Sequence, residues 1–161
     1  MALDFDPIDR AGDLWEEHVG DATAMRFVTS LMRVHQRVLG ELDAALKPHG
    51  ITFARYEVLR LLSFSRSGAL PLSKIGERLM VHPTSVTSVI NRLVAGGLVS
   101  RGADDADRRV VLASLTPAGR EVLDASTESL LAIDFGVGAL SEADQRRAFT
   151  MLRSLRESDW S

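Results

Sequence analysis

The stretch that decides the fold runs from Leu72 to Arg120 and reads LSKIGERLMVHPTSVTSVINRLVAGGLVSRGADDADRRVVLASLTPAGR. Apolar residues three and four apart predict two short helices, and His82-Pro83 starts the second, since proline suits the first helical position. Gly96-Gly97 ends it. Leu98–Gly102 and Val110–Leu115 then alternate as the strands of a hairpin with a basic tip. A helix-turn-helix followed by such a hairpin can place a helix in one DNA groove and a side chain in another.

The second helix of this unit combines an apolar stripe with a face of short polar side chains. Val86, Val89, Ile90 and Leu93 are spaced to face inward. The outward and flanking positions carry Thr84, Ser85, Thr87, Ser88, Asn91 and Arg92. Short hydroxyls and an amide can reach base edges and phosphates, with an arginine on the backbone. An ordinary solvated face would not favour Ser and Thr, which are poor helix formers, so the pattern favours DNA contact.

The tip of the hairpin sets Arg108 and Arg109 among three aspartates. These are Asp104, Asp105 and Asp107. An arginine at a hairpin tip can enter a narrow minor groove, where the negative potential is enhanced. We expect Asp107 to turn inward and hold the loop through a backbone or arginine contact, because an outward carboxylate would repel phosphate. A metal loop is the alternative, but the glycine and distal glutamate of an EF-hand are absent, so no metal is expected.

Charge is divided unevenly along the 161 residues. The net charge is −3, yet Pro71 to Arg120 holds seven Lys and Arg against four Asp and Glu, a local balance of +3. The remainder is acidic, and phosphate attraction depends on local charge placement. Without cysteine the chain has no disulfide framework, thiolate zinc site or cysteine-based redox sensor. No apolar run reaches about 18 residues and the N-terminus is acidic, so we expect a cytoplasmic, nucleoid-associated protein without a membrane partner.

Helical patterns flank the central unit on both sides. They predict helices over Ala11–Val19, Ala22–Lys47, Phe53–Ser65, Lys74–Met80, Pro117–Asp134 and Glu142–Glu157, the last four capped at Thr52, Ser73, Thr116 and Ser141. The expected fold is mainly α with a small β-hairpin wing, a winged helix-turn-helix flanked by dimerisation helices. Residues 1–50 would form the N-terminal arm and dimerisation helices, 51–116 the DNA-binding lobe, and 117–161 the C-terminal dimerisation helices of one intertwined domain.

The segment resembles the winged helix-turn-helix of the MarR family of bacterial transcription regulators. The resemblance is carried by LSKIGERLMVHPTSVTSVINRLVAGGLVSR and by the wing pattern DxxDRRxxxxxLT, here Asp104, Asp107, Arg108, Arg109, Leu115 and Thr116. It spans approximately Ala22–Glu157. It implies a homodimer whose first and last helices interlock, with two recognition helices reading a pseudo-palindrome in half-sites roughly 34–36 Å apart.

Site residues follow from the same resemblance. It assigns the polar face of the second helix to the major groove, Ser73 and Lys74 to the DNA backbone, and Arg108 or Arg109 to the minor groove. The chain departs from the family at His82, where a better N-cap often stands, and at Gly76, which replaces a common alanine. Both departures raise a question about helix rigidity.

The resemblance also implies a small, often aromatic or phenolic effector between the dimerisation helices and the DNA-binding lobe. His35 lies on the apolar stripe of the long helix with Arg33 and Arg37 beside it, and Trp15 could cover a pocket mouth. Such groups could orient a carboxylate or phenolate. In the plainer interpretation, His35 is an interface or core histidine, the two arginines are solvated and Trp15 anchors the arm. This interpretation is favoured, because buried polar side chains in proteins usually have hydrogen-bond partners.

Nothing in the sequence predicts an enzyme or a cofactor. His18, His35, His49 and His82 are scattered, and no GxSxG, Walker or HExxH motif occurs. The sequence predicts a sequence-specific regulator of transcription that binds double-stranded DNA, a repressor relieved by a small aromatic or phenolic ligand. The alternative is a winged-helix adaptor that binds proteins, without DNA or a ligand response.

Overall fold

The computed structural model describes residues 4–103 and 107–158. The described chain is mainly helical with one small antiparallel sheet, which confirms the expected winged helix-turn-helix class. Its elements are α1 (Pro7–His18), α2 (Thr23–Leu46), α3 (Phe53–Ser63), β1 (Ala69–Pro71), α4 (Leu72–Leu79), α5 (Pro83–Ala95), β2 (Val99–Ala103), β3 (Val111–Leu115), α6 (Pro117–Ala132), α7 (Glu142–Met151) and α8 (Arg153–Arg156). Single 3₁₀ turns lie at Lys47–His49 and Asp134–Gly136. No helix within the described residues is both long and apolar enough to cross a membrane.

The chain forms two compact units, Met1–Glu41 and Leu42–Ser161. In the first unit, α1 is held to α2 by Arg26, whose guanidinium donates to Asp13 at 2.6 Å and to Glu16 at 2.7 Å. The side chain of Arg26 occupies the space that a Cβ at Gly12 would fill. Glycine at this position therefore allows the ion-paired arginine to lie against the backbone of α1.

The second unit holds a three-stranded sheet in the order β1-β3-β2. β2 and β3 form the predicted hairpin, with Val99 opposite Leu115 and Ala103 opposite Val111. Ala69–Pro71, after α3, forms a third strand, β1, which pairs antiparallel with β3. The sequence pattern alone showed a two-stranded wing, because three residues are too few for an alternating signal.

The core of the second unit is aliphatic. It is built around side chains that are fully or almost fully buried: Leu46, Val58, Leu59, Leu62, Ile75, Ile90, Leu93, Leu123 and Leu130. Each such side chain contributes about 1.5–3 kcal/mol on burial. Helices α3, α4, α5 and α6 all supply members of this set, so α5 is fixed on its inner face by its neighbours.

Two of the predicted helix caps are wrong in detail. α4 begins at Leu72 with Pro71 in the cap position, so Ser73 lies in the first turn with its side chain exposed. Thr52 occupies the cap position of α3 but its side chain makes no capping hydrogen bond. Instead the Asp43 carboxylate, from α2, accepts from the backbone N–H of Phe53 at 2.7 Å. A partner from another helix has replaced the local one, which sequence spacing does not show.

The C-terminal part also differs from the prediction. Ser141 caps α7 as expected, accepting from the N–H of Asp144 at 3.2 Å. The predicted single helix over Glu142–Glu157 is interrupted at Leu152, and α8 follows. The Arg156 side chain donates to the carbonyl of Phe149 at 3.3 Å, which satisfies one of the acceptors at the end of α7.

Candidate nucleic-acid interface

The second helix of the helix-turn-helix, α5, begins at Pro83 under a histidine cap. His82 Nδ1 accepts from the backbone N–H of Thr84 at 3.3 Å. His82 differs from the residues common in the family at this position. The helix is still capped, because an imidazole nitrogen accepts in place of the usual side-chain oxygen. In the sequence, the only sign of this cap is the histidine directly before Pro83.

α5 presents one buried and one exposed face. Val86, Ile90 and Leu93 are at most 2% exposed, and Val89 is half-buried. All six predicted contact side chains are exposed along the helix: Thr84, Ser85, Thr87, Ser88, Asn91 and Arg92. Thr87 donates its hydroxyl to the carbonyl of Pro83, and the other five side chains form no hydrogen bond with another described residue. Donors and acceptors on this face are therefore available for an outside partner.

The first helix of the pair, α4, packs closely on α5 at Gly76. A Cβ at this position would lie 3.2 Å from the carbonyl oxygen of Val81 and 3.2 Å from a methyl of Val86. Such contacts are tight, so an alanine here would require the Val81 carbonyl and the Val86 methyl to move by a few tenths of an ångström. This departure from the family thus has a packing reason.

The two predicted backbone contacts on α4 are both exposed. The Ser73 side chain forms no hydrogen bond with a described residue, whereas the Lys74 ammonium lies 2.7 Å from the Glu77 carboxylate. The hydrogen bond from Lys74, with its positive charge, holds the pKa of Glu77 below its usual range. Glu77 places a negative charge on the same exposed surface, and the sequence argument had not considered it.

The described part of the wing separates its two arginines. Asp107 Oδ1 accepts from the backbone N–H of Arg109 at 3.0 Å and from Arg109 Nε at 3.2 Å. Arg108 is exposed and forms no ion pair with any described residue. Asp104 and Asp105 lie outside the described residues. Within the described ones no cluster of three histidine, cysteine or acidic side chains could hold a metal ion.

The segment after α5 is connected by hydrogen bonds to both α5 and α6. The N–H groups of Gly97 and Leu98 donate to Val94 at 3.0 Å and Leu93 at 3.0 Å, inside α5. Their carbonyls accept from the Thr116 hydroxyl at 2.8 Å and the Thr116 N–H at 3.2 Å, at the start of α6. Sequence reasoning identified Thr116 as a helix cap and missed this second set of contacts.

The four residues predicted to bind an effector lie in the first unit. Trp15 is 41% exposed on α1, and Arg33, His35 and Arg37 are all exposed on α2. Arg33 donates to the Gln36 amide oxygen at 2.8 Å, and Arg37 lies 3.5 Å from Glu41. A helix turns by about 100° per residue, which places Arg33 and Arg37 on one face and His35 on the far side. The three α2 residues therefore do not share one surface.

Comparisons with known proteins agree with this geometry. The MarR family model matches residues 51–111. The chain is 54% identical to Sco5413, a MarR family regulator from Streptomyces coelicolor, covering 83% of this chain and 92% of that one with a TM-score of 0.77. It is 31% identical to the HTH-type transcriptional repressor Mb2911 of Mycobacterium bovis over 80% of this chain and 91% of the relative.

A third relative has a structure that concerns ligand control. The chain is 28% identical to BpsR of Bordetella bronchiseptica, covering 90% of this chain and 97% of that one with a TM-score of 0.74. That structure describes regulation of DNA binding by 6-hydroxynicotinic acid. On the identity and coverage of these relatives, and on the winged helix-turn-helix itself, the chain belongs to the MarR family of transcriptional regulators.

Proposed function

We propose that this protein binds a pseudo-palindromic site in double-stranded DNA as a homodimer and represses transcription there. The observation that carries the proposal is the exposed polar face of α5, where five of the six side chains form no hydrogen bond with another described residue while the opposite face is fixed in the core. This face fits the major groove, where hydroxyls and amides read base edges. Ser73 and Lys74 on α4 would contact phosphates, and Arg108 in the wing would reach the minor groove.

A dimer is supported by apolar side chains that the single chain leaves exposed. In the first unit these are Phe27, Val28, Met32 and Val34, and in the second Leu131, Ile133, Phe149 and Met151. Exposed apolar area on this scale indicates an interaction surface. A second copy of the chain is the proposed occupant, since two identical recognition helices match the two-fold symmetry of a pseudo-palindrome. Sedimentation equilibrium tests the assembly, and a monomer at micromolar concentration would contradict it.

The test of DNA recognition is selection of bound sequences from random duplex DNA with the purified full chain. We expect enrichment of a two-fold-symmetric site with half-sites about one helical turn apart. Affinity for that site should fall steeply with salt, because phosphate contacts release counterions. A protein adaptor would enrich no sequence even at low salt, and that result would overturn the proposal.

The proposal that this protein is a repressor whose repression is relieved by a ligand is supported by what is known of its relatives. Mb2911 is named a repressor, and BpsR binds DNA under the control of 6-hydroxynicotinic acid. A dimer bound over a promoter blocks access by the polymerase. We therefore propose that a small aromatic acid or phenol binds this chain and lowers its affinity for DNA. The ligand must bind more tightly to the dimer geometry that fits DNA poorly.

The effector part is tested by titrating the protein–operator complex with 6-hydroxynicotinic acid and with benzoic acid. Release of DNA by either compound at a concentration that leaves the dimer intact supports the proposal. The variants Arg33→Ala and His35→Ala then show which face of α2 contributes to ligand binding, since the two side chains point in different directions. If neither compound changes the affinity, this effector class is wrong, while the DNA-binding proposal is unaffected.

A further inference from the structure

The Gly97–Leu98 segment, between α5 and β2, joins two helices by hydrogen bonds on both sides of its peptide groups. Its two N–H groups are bonded to carbonyls in the last turns of α5, and its two carbonyls are bonded to Thr116. The peptide group between Gly97 and Leu98 therefore connects α5 to the start of α6, because its N–H donates to Leu93 and its carbonyl accepts from the Thr116 hydroxyl. Hydrogen bonds in series polarise one another, which strengthens such a chain.

Two glycines make this connection possible. Gly97 has a φ of 70°, a left-handed conformation that side chains other than hydrogen disfavour. At Gly119, in the first turn of α6, a Cβ would overlap the carbonyl oxygen of Leu98. The backbone of α6 therefore lies directly on the segment that ends α5. The N–H of Gly119 is also bonded to the Thr116 hydroxyl at 3.0 Å.

The Thr116 hydroxyl consequently performs two tasks at once. It accepts from Gly119 and so caps α6, and it donates to Gly97 and so holds the end of α5. α6 begins at the residue after this threonine. The start of α6 is therefore joined to the end of α5 by the hydrogen bonds of Thr116 and by the backbone contact at Gly119.

We propose that Thr116 is a positioning residue for DNA recognition, which links α6 rigidly to α5 and so sets the orientation of the recognition helix. Specific binding needs α5 in one orientation, whereas non-specific binding needs only charges near phosphates. The linkage therefore determines the ratio of specific to non-specific affinity. This DNA consequence depends on the proposed function, while the linkage itself does not.

The variants are chosen to separate the two tasks of the hydroxyl from general stability. Thr116→Val keeps the shape and the backbone hydrogen bond to Leu98 but removes the hydroxyl, and Thr116→Ser restores it. Thr116→Ala also removes the hydroxyl, with a smaller side chain. Thr52→Val is the matched control, because Thr52 occupies the cap position of α3 without a side-chain hydrogen bond.

The first measurement is amide hydrogen exchange by NMR in the full chain without DNA. In Thr116→Val we expect about fivefold faster exchange at Gly119 and also at Gly97 and Leu98, the factor for one hydrogen bond of ordinary net strength. The Thr116→Ser and Thr52→Val variants should match the original chain at these three amides. Acceleration confined to Gly119 would show that the threonine is only a cap, and acceleration at none of the three amides would show that it holds neither helix; either result would overturn the linkage.

The second measurement compares the Kd for the selected operator with the Kd for a scrambled duplex of equal length. Thr116→Val should lower the ratio of the two affinities by about tenfold, with the scrambled duplex bound as before. Equal loss on both duplexes, or no change, would overturn the positioning role. If Thr116→Val does not fold by circular dichroism, Thr116→Ala carries both measurements with the same expected results. If the original chain selects no DNA sequence, the proposed function fails and the exchange data alone decide the linkage.

Discussion

Replacing Arg108 with alanine tests the wing more sharply than any other change, because the neighbouring arginine is its control. Arg108 is exposed and unpaired among the described residues, so it is free to bind DNA without breaking another contact. Arg109 is already tied to the Asp107 carboxylate at 3.2 Å. Freeing an exposed pair of this kind costs about 0.2–1 kcal/mol, which reduces what Arg109 can add to binding.

The expected magnitude follows from two wings in each dimer. A contact worth about 1 kcal/mol per wing gives about 2 kcal/mol for the complex, or roughly a 30-fold higher Kd for Arg108→Ala. Losing two charges near phosphates should lower the slope of log K against log salt by about 1.8. Arg109→Ala should raise the Kd less than about fivefold, since the backbone N–H still donates to Asp107.

Fluorescence anisotropy on the selected operator, at four salt concentrations from about 50 to 200 mM, measures both quantities. Circular dichroism confirms that each variant is folded. If Arg109→Ala proved the more damaging of the two substitutions, the assignment of the free arginine to DNA would be refuted. Equal Kd values for the original chain and Arg108→Ala would refute the role of the wing altogether.

Three further predictions concern α4, α5 and α3. Glu77→Gln frees Lys74 and removes a negative charge from the proposed DNA-binding surface, so the Kd for DNA should fall about threefold in anisotropy titrations, and an unchanged Kd would place Lys74 away from phosphate. Ile90→Ala should cost about 2–5 kcal/mol in urea unfolding and Ile90→Val only about 0.5–1.5, because Ile90 is fully buried; similar losses would contradict its place in the core. Burial raises the pKa of the Glu57 carboxyl in the folded chain. The free energy of unfolding should therefore fall as pH rises from the ordinary pKa of the unfolded chain to the raised pKa of the folded one. Glu57→Gln should remove that fall and raise the Tm at pH 7 by about 1–3 °C, and an unaltered pH profile of Tm would count against it.

The central unit could be predicted from the sequence because its signals are local. Apolar spacing in α5 identified the buried face, and the glycine pair and Thr116-Pro117 marked where helices end and begin. The polar face of α5 follows from the same periodicity, since the residues that do not face inward must face outward. These features depend on neighbours within a few residues along the chain.

Other features depend on residues far apart in the sequence. The cap of α3 comes from Asp43 ten residues away, and β1 pairs with β3 across the whole helix-turn-helix. Nothing in the spacing around Ser73 showed that α4 starts two residues earlier, at Leu72. The alternation that predicted two strands could not reveal the third, because its length is set by pairing and not by its own pattern.

The sequence by itself predicted which residues would face DNA: helix periodicity and short polar side chains favour the α5 face, and charge placement favours the wing. The tertiary structure alone decided which of those residues are free. It ties Arg109 to Asp107 and leaves Arg108 unpaired, joins Lys74 to Glu77, and bonds both ends of the Gly97–Leu98 segment. Periodicity fixes the direction of a side chain, but a hydrogen bond or ion pair needs two atoms within about 3 Å, and only the folded chain brings them together.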